Sequence, residues 1–363
     1  MKILHVVNIG FTIPYFFGGQ VEYFNEKGAR IYIACTRDKD FLESIQKYEF
    51  TPVFIPIRRS ISPFRDLQAI FKLYRKVKSE KIDLVVGHTP KGGLIAALCA
   101  WISARPFVYV RHGLVYEGLS GISKNLMLLI EKLNYKLSDN TISVSFSLHN
   151  KSLIDGISGS KAMVIGKGTA NGIDTELFKS EGKSLNNKLT FGFIGRITRD
   201  KGIYELLDAI DILESRGNNF SVVIAGPIDT RDSRSQELID KCQSHPSINF
   251  IGQTSDPHSF YSSIDILVLP SYREGFPTVV LEASAMECAI ITSRSTGCID
   301  SIEDGVTGIY SDIDSKILAD SMEYYLQNPN LILLHGRNGR RKVVKYYDSK
   351  RIWNYLYQLY TSY

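Results

Sequence analysis

Glu274 and Glu282 are two carboxylates separated by seven residues in the segment REGFPTVVLEA. The apolar run IDILVLP stands directly before this segment and predicts a strand that ends at Pro270. A helix is expected to begin near Thr278, because Pro277 stands just ahead of it and proline is favoured at helix starts. Glu282 then lies in the second helical turn and Glu274 in the preceding loop, so both carboxylates can face one cleft.

Carboxylates placed in this way could bind sugar hydroxyls, because the two oxygens of a carboxylate suit a pair of donors. The N–H groups of the first helical turn are a second potential contact, since they bind the oxygen atoms of anions. A plainer alternative is that Glu282 is a surface helix residue and Glu274 a helix cap. The segment alone leaves both interpretations open.

A second segment, GRITRDKG, carries two cations at the end of another predicted strand, LTFGFIG. Arg196 stands at the strand end and Lys201 opens the next helix, so two cations and a helix N-terminus converge where a diphosphate could lie. Neutralising a diphosphate leaving group is an electrostatic task that fixed cations perform. The alternative is a surface charge cluster with Asp200. The strand in FSVVIAGP runs into a glycine turn and could line a nucleotide pocket.

The first half of the chain has further polar residues at predicted strand ends. His112 follows the strand in FVYVRHG, where a histidine can donate to a sugar hydroxyl or polarise a reaction centre. A lone histidine is more often structural, but this placement favours a functional role. The stretch HTPKGGLIAAL puts Lys91 and Gly92 at a helix start, which predicts binding of a phosphate. Gly10 follows the first predicted strand and is expected at the same sheet edge.

Strand-like apolar runs alternate with longer helix-like segments along the whole chain, in two successive series. The predicted strands are KILHVV, RIYIACT, DLVVGH, FVYVRHG, NTISVS and AMVIG in the first series, and LTFGFIG, FSVVIAG, SINFIG, IDILVLP and CAIITS in the second. Helical patterns between them include SPFRDLQAIFKLYRKVKSEK, SKNLMLLIEKLNYKL and GIYELLDAIDILESRG. Such alternation predicts βαβ units on parallel sheets, and therefore an α/β protein of two doubly wound, Rossmann-like domains. The domains are expected at 1–170 and 171–349, separated at the polar segment TANGIDTELFKSEGKSLNNK. Parallel sheets bind ligands at the carboxyl ends of their strands, so the site is expected in a cleft between the domains.

Composition excludes several classes of protein. The 363 residues suit two domains, and the five cysteines show no paired spacing, which predicts reduced thiols and neither disulfide nor zinc site. The N-terminus lacks signal-peptide features, so no signal peptide is expected. The longest apolar stretch, 92–104, is shorter than the ~20 residues of a membrane-spanning helix, so no transmembrane segment is expected. No nucleic-acid-binding module or dinucleotide-binding glycine pattern occurs, and no nucleic-acid partner is expected.

The two halves of the chain differ in charge, with a net charge of +10 for residues 1–170 and −5 for residues 171–363. A basic face attracts phosphates or an anionic surface. The predicted helix ISKNLMLLIEKLNYKL is amphipathic and basic, so it could lie on an anionic membrane, although most such helices pack in a core with solvated lysines. We therefore expect a cytoplasmic protein that can lie peripherally on the inner face of the cell membrane.

As a set, these segments resemble the retaining glycosyltransferases of the GT-B fold, and specifically family 4. The E-x7-E motif of that family is matched by Glu274-Gly275-Phe276-Pro277 through Glu282-Ala283. Three further segments agree in type and order, namely GRITRDKG at 195–202, NGID at 171–174 and DGVTG at 304–308. The resemblance implies two Rossmann-like domains facing an interdomain cleft, with a C-terminal helix at about 350–363 that crosses back onto the first domain.

The resemblance also implies roles for individual residues. Glu274 would hold hydroxyls of the donor sugar and Glu282 the ribose hydroxyls of the nucleotide. The expected donor-binding set is Arg196, Lys201, Glu274, Gly275, Phe276, Pro277, Thr278, Val279 and Glu282. His112 and Glu274 are the expected catalytic residues, and Lys91, Gly92 and Gly10 are the expected acceptor-binding residues.

The implied activity is metal-independent, retaining transfer of a hexose or N-acetylhexosamine from a nucleoside diphosphate sugar, expected to be UDP-linked. The implied acceptor is a polyprenyl-diphosphate-linked saccharide of bacterial surface polysaccharide synthesis. No metal or other cofactor is expected, because the D-x-D triplets at 38–40 and 312–314 lack the single-domain architecture in which that motif binds metal. Two alternatives stay open: a nucleotide-sugar epimerase of the same fold, and a non-catalytic nucleotide-sugar-binding protein.

The first loop departs from the family pattern, in which a Gly-Gly loop directly follows the first strand. Here Gly18-Gly19 comes later in the chain, after IGFTIPYFF. The pair is therefore expected inside the first helix, where each glycine would cost about 1 kcal/mol relative to alanine.

Overall fold

The computed structural model describes residues 1–57, 62–228 and 235–363, the side chain of Ser235 excepted. The described chain divides into two compact units, Met1–Gly172 with Ser349–Tyr363, and Ile173–Asp348. Each unit contains one parallel sheet with its helices, so the prediction of two Rossmann-like, doubly wound domains is confirmed.

The first unit contains a sheet whose strands all run parallel. The strands are β1 (Lys2–Val6), β2 (Arg30–Cys35), β3 (Thr51–Phe54), β4 (Leu84–His88), β5 (Phe107–Arg111), β6 (Asn140–Ser143) and β7 (Ala162–Val164). The helices are α1 (Ile13–Phe16), α2 (Gln20–Glu26), α3 (Lys39–Lys47), α4 (Pro63–Glu80), α5 (Pro90–Ser103), α6 (Gly121–Leu137) and α7 (Phe146–Ile154). The order across the sheet is β3-β2-β1-β4-β5-β6-β7.

The second unit repeats this plan on a smaller sheet. The strands are β8 (Thr190–Ile194), β9 (Ser221–Ala225), β10 (Ile248–Gly252), β11 (Ile266–Leu269), β12 (Ala289–Ser293) and β13 (Ile309–Ser311). The helices are α8 (Ile203–Ser215), α9 (Ser235–Ser244), α10 (Pro257–Ser263), α11 (Thr278–Ala285), α12 (Ser315–Gln327) and α13 (Pro329–Tyr346). The order is β10-β9-β8-β11-β12-β13, and the last helix, α14 (Ser349–Thr361), belongs to the first unit.

Each sheet has a point at which the chain changes its direction of travel across the sheet. In the first unit this point lies between β1 and β4, and in the second between β8 and β11. The loops that follow the two strands at such a point diverge, which leaves room at the carboxyl edge for a ligand. Both points are therefore candidate ligand sites.

The strands are apolar along nearly their whole length because helices cover both faces of a doubly wound sheet. All residues of β4, β5 and β12 are buried. Burying one large aliphatic side chain contributes about 1.5–3 kcal/mol, so these buried strands stabilise the sheets from which the loops at the carboxyl edges extend.

Two strands escape detection in the sequence, namely β3 with the sequence TPVF and the three-residue β13. Both are at a sheet edge, where a strand pairs on one side alone. Edge strands are short and tolerate proline, as Pro52 shows, so their patterns are weak. The predicted helices in the segments that form α4, α6 and α8 are confirmed.

The expectation that Gly18-Gly19 lies inside a helix is wrong. The pair separates α1 from α2, and Gly18 has a φ of +41°. A Cβ atom on Gly19 would come within 2.8 Å of the indole ring of Trp353 in α14. The indole Nε1 of Trp353 donates to Asn171 Oδ1 at 2.6 Å. The glycine pair therefore allows α14 to pack closely on the first unit.

Candidate active site

The carboxyl edge of the second sheet brings together three loops that are distant in the sequence. The loop after β8 contains residues 195–202, the loop after β11 contains residues 270–277, and the loop after β12 begins at Arg294. The backbone N–H of Tyr272 donates to the Asp200 carbonyl at 2.9 Å, and that of Glu274 donates to the Thr296 carbonyl at 2.8 Å. The first bond joins the loop after β11 to the loop of the GRITRDKG motif, and the second joins it to the loop after β12.

Close backbone approach explains two of the glycines in these loops. Gly202 has a φ of +71°, and a Cβ atom there would overlap the carbonyl oxygen of Pro270. Gly226, at the end of the FSVVIAG strand, has a φ of +140°, and its Cβ atom would overlap the carbonyl oxygen of Gly195. A side chain at either position would push apart the loops that carry the predicted donor-binding residues.

Lys201 and Glu274 form an ion pair at this edge, between Nζ and Oε1. Their side chains are 17% and 14% exposed, so the pair is largely removed from water. Lys201 belongs to a single 3₁₀ turn, and α8 begins two residues later, at Ile203. The interpretation of Glu274 as a helix cap is wrong, since Pro277 occupies the N-cap position of α11.

Asp200 holds two arginines beside this pair. Its Oδ2 lies 3.8 Å from Arg196 Nη2 and 3.9 Å from Arg273 Nη2. Burial acts to raise the pKa of Asp200, but the Thr198 hydroxyl and the nearby cations outweigh it, so the pKa lies below its usual value. An ionised Asp200 can therefore orient Arg196, whose side chain remains 48% exposed. The charge cluster named as the alternative exists, and it also presents a cation to solvent.

Glu282 lies in the second turn of α11, where the sequence predicts it. Tyr261 donates its hydroxyl proton to Glu282 Oε2 at 2.6 Å. Burial raises the pKa of Glu282 to about 7, although the hydrogen bond from Tyr261 acts to lower it. The Glu282 side chain is half-buried, so it is only partly exposed on the surface of α11.

The segment between the two glutamates forms a loop and the first helical turn. Gly275, Phe276 and Pro277 precede α11, and Thr278 and Val279 are its first two residues. The N–H groups of a first helical turn have no intrahelical acceptor. The Phe276 ring packs against Tyr347, with the ring centroids 5.4 Å apart. The backbone of this segment is thus presented at the same edge as Lys201 and Glu274.

Three histidines form a hydrogen-bonded chain at the carboxyl edge of the first sheet. His5 Nδ1 lies 3.0 Å from His88 Nε2, and His88 Nδ1 lies 2.9 Å from His112 Nε2. These residues stand in or directly after β1, β4 and β5, three adjacent strands. Phe16 stacks on His112, with ring centroids 3.5 Å apart and an interplanar angle of 5°.

Burial keeps this histidine chain neutral. It lowers the pKa of His5 and of His112 to about 3, and it also lowers the pKa of His88, to which the neighbouring histidines contribute. A neutral imidazole has one N–H donor and one acceptor nitrogen, so the rings must hold their protons in one common direction. Since His88 occupies Nε2 of His112, Nδ1 is the nitrogen of His112 that remains for a ligand.

The residues predicted to bind an acceptor phosphate are engaged within the first unit. Lys91 Nζ lies 2.8 Å from Asp66 Oδ1, and the Lys91 side chain is 12% exposed. The Gly10 N–H donates to Asp38 Oδ2 at 3.1 Å. A Cβ atom on Gly92 would lie 3.2 Å from the Val6 carbonyl oxygen, so this glycine allows α5 to approach β1. Their part in acceptor binding stays a prediction.

The D-x-D triplets are located at helix starts. Asp38 accepts from the N–H of Phe41 at 2.8 Å and caps α3. Asp314 accepts from the N–H groups of Lys316 and Ile317, both at 3.0 Å, and caps α12. N-capping accounts for an aspartate in each triplet.

Sequence reasoning missed three partners of the predicted residues: Tyr261, Arg273 and His5. Arg273 is adjacent to Glu274 in the quoted motif, and His5 stands in the first predicted strand, so a comparison of all strand ends would have drawn attention to both. Tyr261 carries no such signal, because it lies in α10 and reaches Glu282 through the tertiary structure alone.

Two family models match the chain. The model for glycosyl transferases group 1 matches residues 174–342, and that for glycosyl transferase 4-like proteins matches residues 2–145. The capsular polysaccharide biosynthesis glycosyltransferase CapM of Staphylococcus aureus is 32% identical, over 100% of this chain and 97% of the relative. The chain belongs to the GT-B glycosyltransferases of the family 4 type.

Other glycosyltransferases are similar over the same length. The N,N'-diacetylbacillosaminyl-diphospho-undecaprenol alpha-1,3-N-acetylgalactosaminyltransferase of Campylobacter jejuni is 25% identical, over 98% of this chain and 97% of the relative. The crystal structure of Anabaena HepE in complex with UDP and glucose is 18% identical, with a TM-score of 0.84 and full coverage of both chains. At that identity the structure supports the GT-B fold alone.

Proposed function

We propose that this glycosyltransferase transfers a hexose or N-acetylhexosamine from a UDP-sugar to a saccharide carried on polyprenyl diphosphate, in bacterial surface polysaccharide synthesis. The observation that carries the proposal is the convergence of Arg196, the Lys201–Glu274 pair and the start of α11 at one sheet edge. A nucleoside diphosphate sugar has a diphosphate next to a polyhydroxyl ring, and this edge offers cations next to a carboxylate.

Each group at the edge has a place in donor binding. Arg196 and Lys201 neutralise the diphosphate as it leaves, and the N–H groups of Thr278 and Val279 add donors at a helix N-terminus. Glu274 accepts from hydroxyls of the donor sugar, and Glu282 accepts from the ribose. Two fixed cations and a helix terminus supply the positive charge that a metal would otherwise supply, so the transfer is metal-independent.

The proposed stereochemical outcome is retention. Glu274 and Glu282 both bind hydroxyls in this assignment, so the separation of the two carboxylates does not report on mechanism as it does in glycosidases. A front-side displacement, in which the leaving phosphate takes the acceptor proton, needs no enzymic nucleophile. His112 donates from Nδ1 to the sugar and holds it during the displacement.

The acceptor proposal is supported by relatives. Besides the C. jejuni relative, the UDP-Gal:alpha-D-GlcNAc-diphosphoundecaprenol alpha-1,3-galactosyltransferase of Escherichia coli is 26% identical over 84% of this chain. Both names state an undecaprenyl diphosphate carrier, and the latter a UDP-sugar donor. A hydrophobic acceptor of this kind resides in a membrane, so the enzyme must meet the membrane surface.

The surface of α6 supports peripheral contact with an anionic inner leaflet. One stripe of this helix is apolar and exposed, with Ile122 at 86% and Leu129 at 53% exposure. Leu126 and Leu133 belong to the same stripe, and Lys124, Lys132 and Lys136 are exposed on the helix. An apolar stripe with lysines suits the interface of an anionic bilayer. Across the described ranges, no helix has the length and hydrophobicity to span a membrane.

The membrane contact is tested with vesicles. The variant Ile122→Ser/Leu129→Ser should lose co-sedimentation with vesicles that contain about a third anionic lipid, while a matched change of two exposed apolar residues of the second unit, Ile317→Ser/Leu334→Ser, should not. Equal binding by wild type and both variants would contradict the proposed surface.

The activity is tested by release of nucleoside diphosphate from a panel of UDP- and GDP-sugars, with and without a polyprenyl-diphosphate saccharide. Acceptor-dependent release from a UDP-sugar, unchanged by EDTA and lost in Glu274→Ala, is the expected result. The anomeric configuration of the product, read from the NMR coupling constant, decides retention. Conversion of the sugar without acceptor would instead indicate an epimerase, and binding without turnover a non-catalytic protein.

A further inference from the structure

The first unit contains a cavity of about 600 Å³. Asn8 and Ile9, just before Gly10, line this cavity, but the predicted site residues do not. It lies at the carboxyl ends of β1, β2 and β3, and α4 forms one of its sides. Its volume is within the range of about 300–1,000 Å³ that is typical of small-molecule sites. The cavity therefore has the size and the sheet-edge position of a ligand site.

Three cations line this cavity. Arg37 follows β2, and Arg65 and Lys72 are two turns apart on α4. The guanidinium of Arg37 lies over the Phe54 ring, 5.4 Å from its centroid. Among the described lining residues Asp38 is the acidic one, and its carboxylate already accepts from the N–H groups of Phe41 and Gly10. The cations therefore leave the cavity with a net positive charge, which favours an anionic ligand.

The inner wall of the cavity is apolar. Ile55 and Ile57 are each 2% exposed, and Thr36 donates its hydroxyl proton to the Ile57 carbonyl at 2.7 Å. A ligand that fits must therefore combine an anionic group with a bulky remainder. A diphosphate with an organic group on each of its two phosphates combines an anionic centre with bulky substituents.

The exposed face of α4 extends the apolar character beyond the cavity. Phe64, Leu67 and Phe71 recur at helical spacing and are 92%, 66% and 59% exposed. Phe64 and Phe71 each directly precede a cation of the cavity, Arg65 and Lys72. Apolar residues beside cations at this spacing form two adjacent stripes on one helix. The helix thus offers a hydrocarbon contact next to an anion contact.

We propose that this cavity binds the diphosphate of a polyprenyl-diphosphate carrier, with Arg37, Arg65 and Lys72 on the phosphates and the stripe Phe64, Leu67 and Phe71 on the lipid. The proposal rests on the proposed function, whose acceptor it places at residues other than Lys91 and Gly92. The occupant is a lipid-linked diphosphate, because a free diphosphate would contact the three cations alone. A lipid-linked diphosphate would also cover the exposed apolar stripe of α4.

The test compares farnesyl diphosphate, inorganic pyrophosphate, farnesol and UDP as ligands of the full chain by calorimetry. Arg37→Ala, Arg65→Ala and Lys72→Ala should each weaken farnesyl diphosphate binding about fivefold to thirtyfold, because a charge-assisted hydrogen bond is worth roughly 1–2 kcal/mol. The control is Arg30→Ala, which removes an exposed cation at the opposite end of β2 and should leave the affinity unchanged. UDP affinity should be unchanged in all four variants, because its proposed site lies in the second unit. Circular dichroism spectra and thermal unfolding equal to those of wild type show that the first unit of each variant folds.

The lipid contact has a separate arm. Phe64→Ser/Phe71→Ser should weaken binding of farnesyl diphosphate and leave that of pyrophosphate unaltered. Equal affinity of wild type for pyrophosphate and farnesyl diphosphate would make this a site for a free anion and overturn the lipid assignment. Undiminished farnesyl diphosphate binding in the triple variant Arg37→Ala/Arg65→Ala/Lys72→Ala would overturn the site itself.

These outcomes are independent of turnover. If no UDP-sugar is consumed with any acceptor, the proposed function fails, while binding of farnesyl diphosphate at the cavity can still be measured. If turnover is observed but the triple variant keeps the acceptor KM of wild type, the proposed function stands and the cavity assignment fails.

Discussion

Lys201 and Glu274 are ion-paired across two loops of the second unit, although 73 positions separate them in the sequence. Both side chains are largely buried, so each neutralises a charge that the protein would otherwise hold in a poorly solvated place. The pair also joins the residue assigned to the diphosphate to the residue assigned to the donor sugar. If these assignments hold, binding of the diphosphate and of the donor sugar should be coupled through this pair.

Removal of one partner of this pair should cost more than removal of both. Lys201→Met leaves the Glu274 carboxylate buried and unpaired, which should lower the free energy of unfolding by about 3–5 kcal/mol, and Lys201→Met/Glu274→Gln should recover part of this loss. Urea denaturation of the two single variants and the double variant measures the coupling. Additive losses would show that the two side chains act independently. In the activity assay, Glu274→Gln should lower kcat/KM by about 10²–10³.

Donor affinity should depend on pH through Glu282. Its pKa is raised to about 7, so a fall in pH from 8 to 6 protonates the carboxyl group and removes an acceptor for the ribose. The Kd of a UDP-sugar should rise several-fold over this range with a midpoint near pH 7, and Glu282→Gln should bind weakly and without this dependence. The diphosphate of a UDP-sugar does not titrate there, so the change reports on the protein. A flat profile for wild type would contradict the assignment.

Tyr261 supplies a second test of the same residue. Its hydrogen bond stabilises the Glu282 carboxylate, so Tyr261→Phe should raise the pKa further and move the midpoint above 7. Calorimetric titrations at several pH values measure this shift. A midpoint that moves below 7 would reverse the sign of the proposed interaction.

The histidine chain should set the tautomer of His112. In wild type one nitrogen of each ring carries the proton, and all hydrogen bonds of the chain point in one direction. His88→Gln should interrupt this chain, so that His112 becomes a mixture of tautomers. ¹⁵N chemical shifts of the labelled imidazoles distinguish a single tautomer from a mixture. We expect kcat to fall while the donor KM changes little, because His88 positions His112 and does not itself contact the donor. Unchanged ¹⁵N shifts in His88→Gln would exclude this positioning role.

The same histidines should make the protein less stable at low pH. Their pKa values are lowered in the folded state, so between pH 6.5 and 3 the unfolded chain takes up protons that the folded chain does not. Above about pH 6.5 these histidines therefore do not lower the free energy of unfolding. Below pH 6.5 each of them should lower the free energy of unfolding by about 1.4 kcal/mol per pH unit. Unfolding by urea at pH 7.5, 6.5 and 5.5 measures the slope, which should decrease in His112→Asn.

Gly202 should tolerate no side chain, because its positive φ combines with contact to Pro270. Gly217 is a matched control, since its φ of +78° is similar but no atom of the described residues lies within 4 Å of its Cβ position. Gly217→Ala should cost about 1 kcal/mol from backbone strain alone, and Gly202→Ala should cost more and also weaken UDP-sugar binding. An equal loss of thermal stability in Gly202→Ala and Gly217→Ala would show that the contact between Gly202 and Pro270 does not contribute to stability.

The sequence by itself determined the fold class, most strands and the position of the main motifs. Alternating apolar runs and helical patterns are local properties, and the E-x7-E segment places Glu274 and Glu282 around one helix start by spacing alone. The edge strands β3 and β13 were missed because they are short and pair on one side alone. The Gly18-Gly19 pair was misplaced because its constraint is the indole of Trp353, from the other end of the chain.

Only the tertiary structure decided which groups meet. The pairing of Lys201 with Glu274, the hydrogen bond from Tyr261 to Glu282, and the chain of His5, His88 and His112 all join distant segments. Desolvation also belongs to the folded state, and it is the cause of the raised pKa of Glu282. The pattern of a sequence records which elements form, whereas partners, burial and protonation depend on strand order, which brings separate strand ends to one edge.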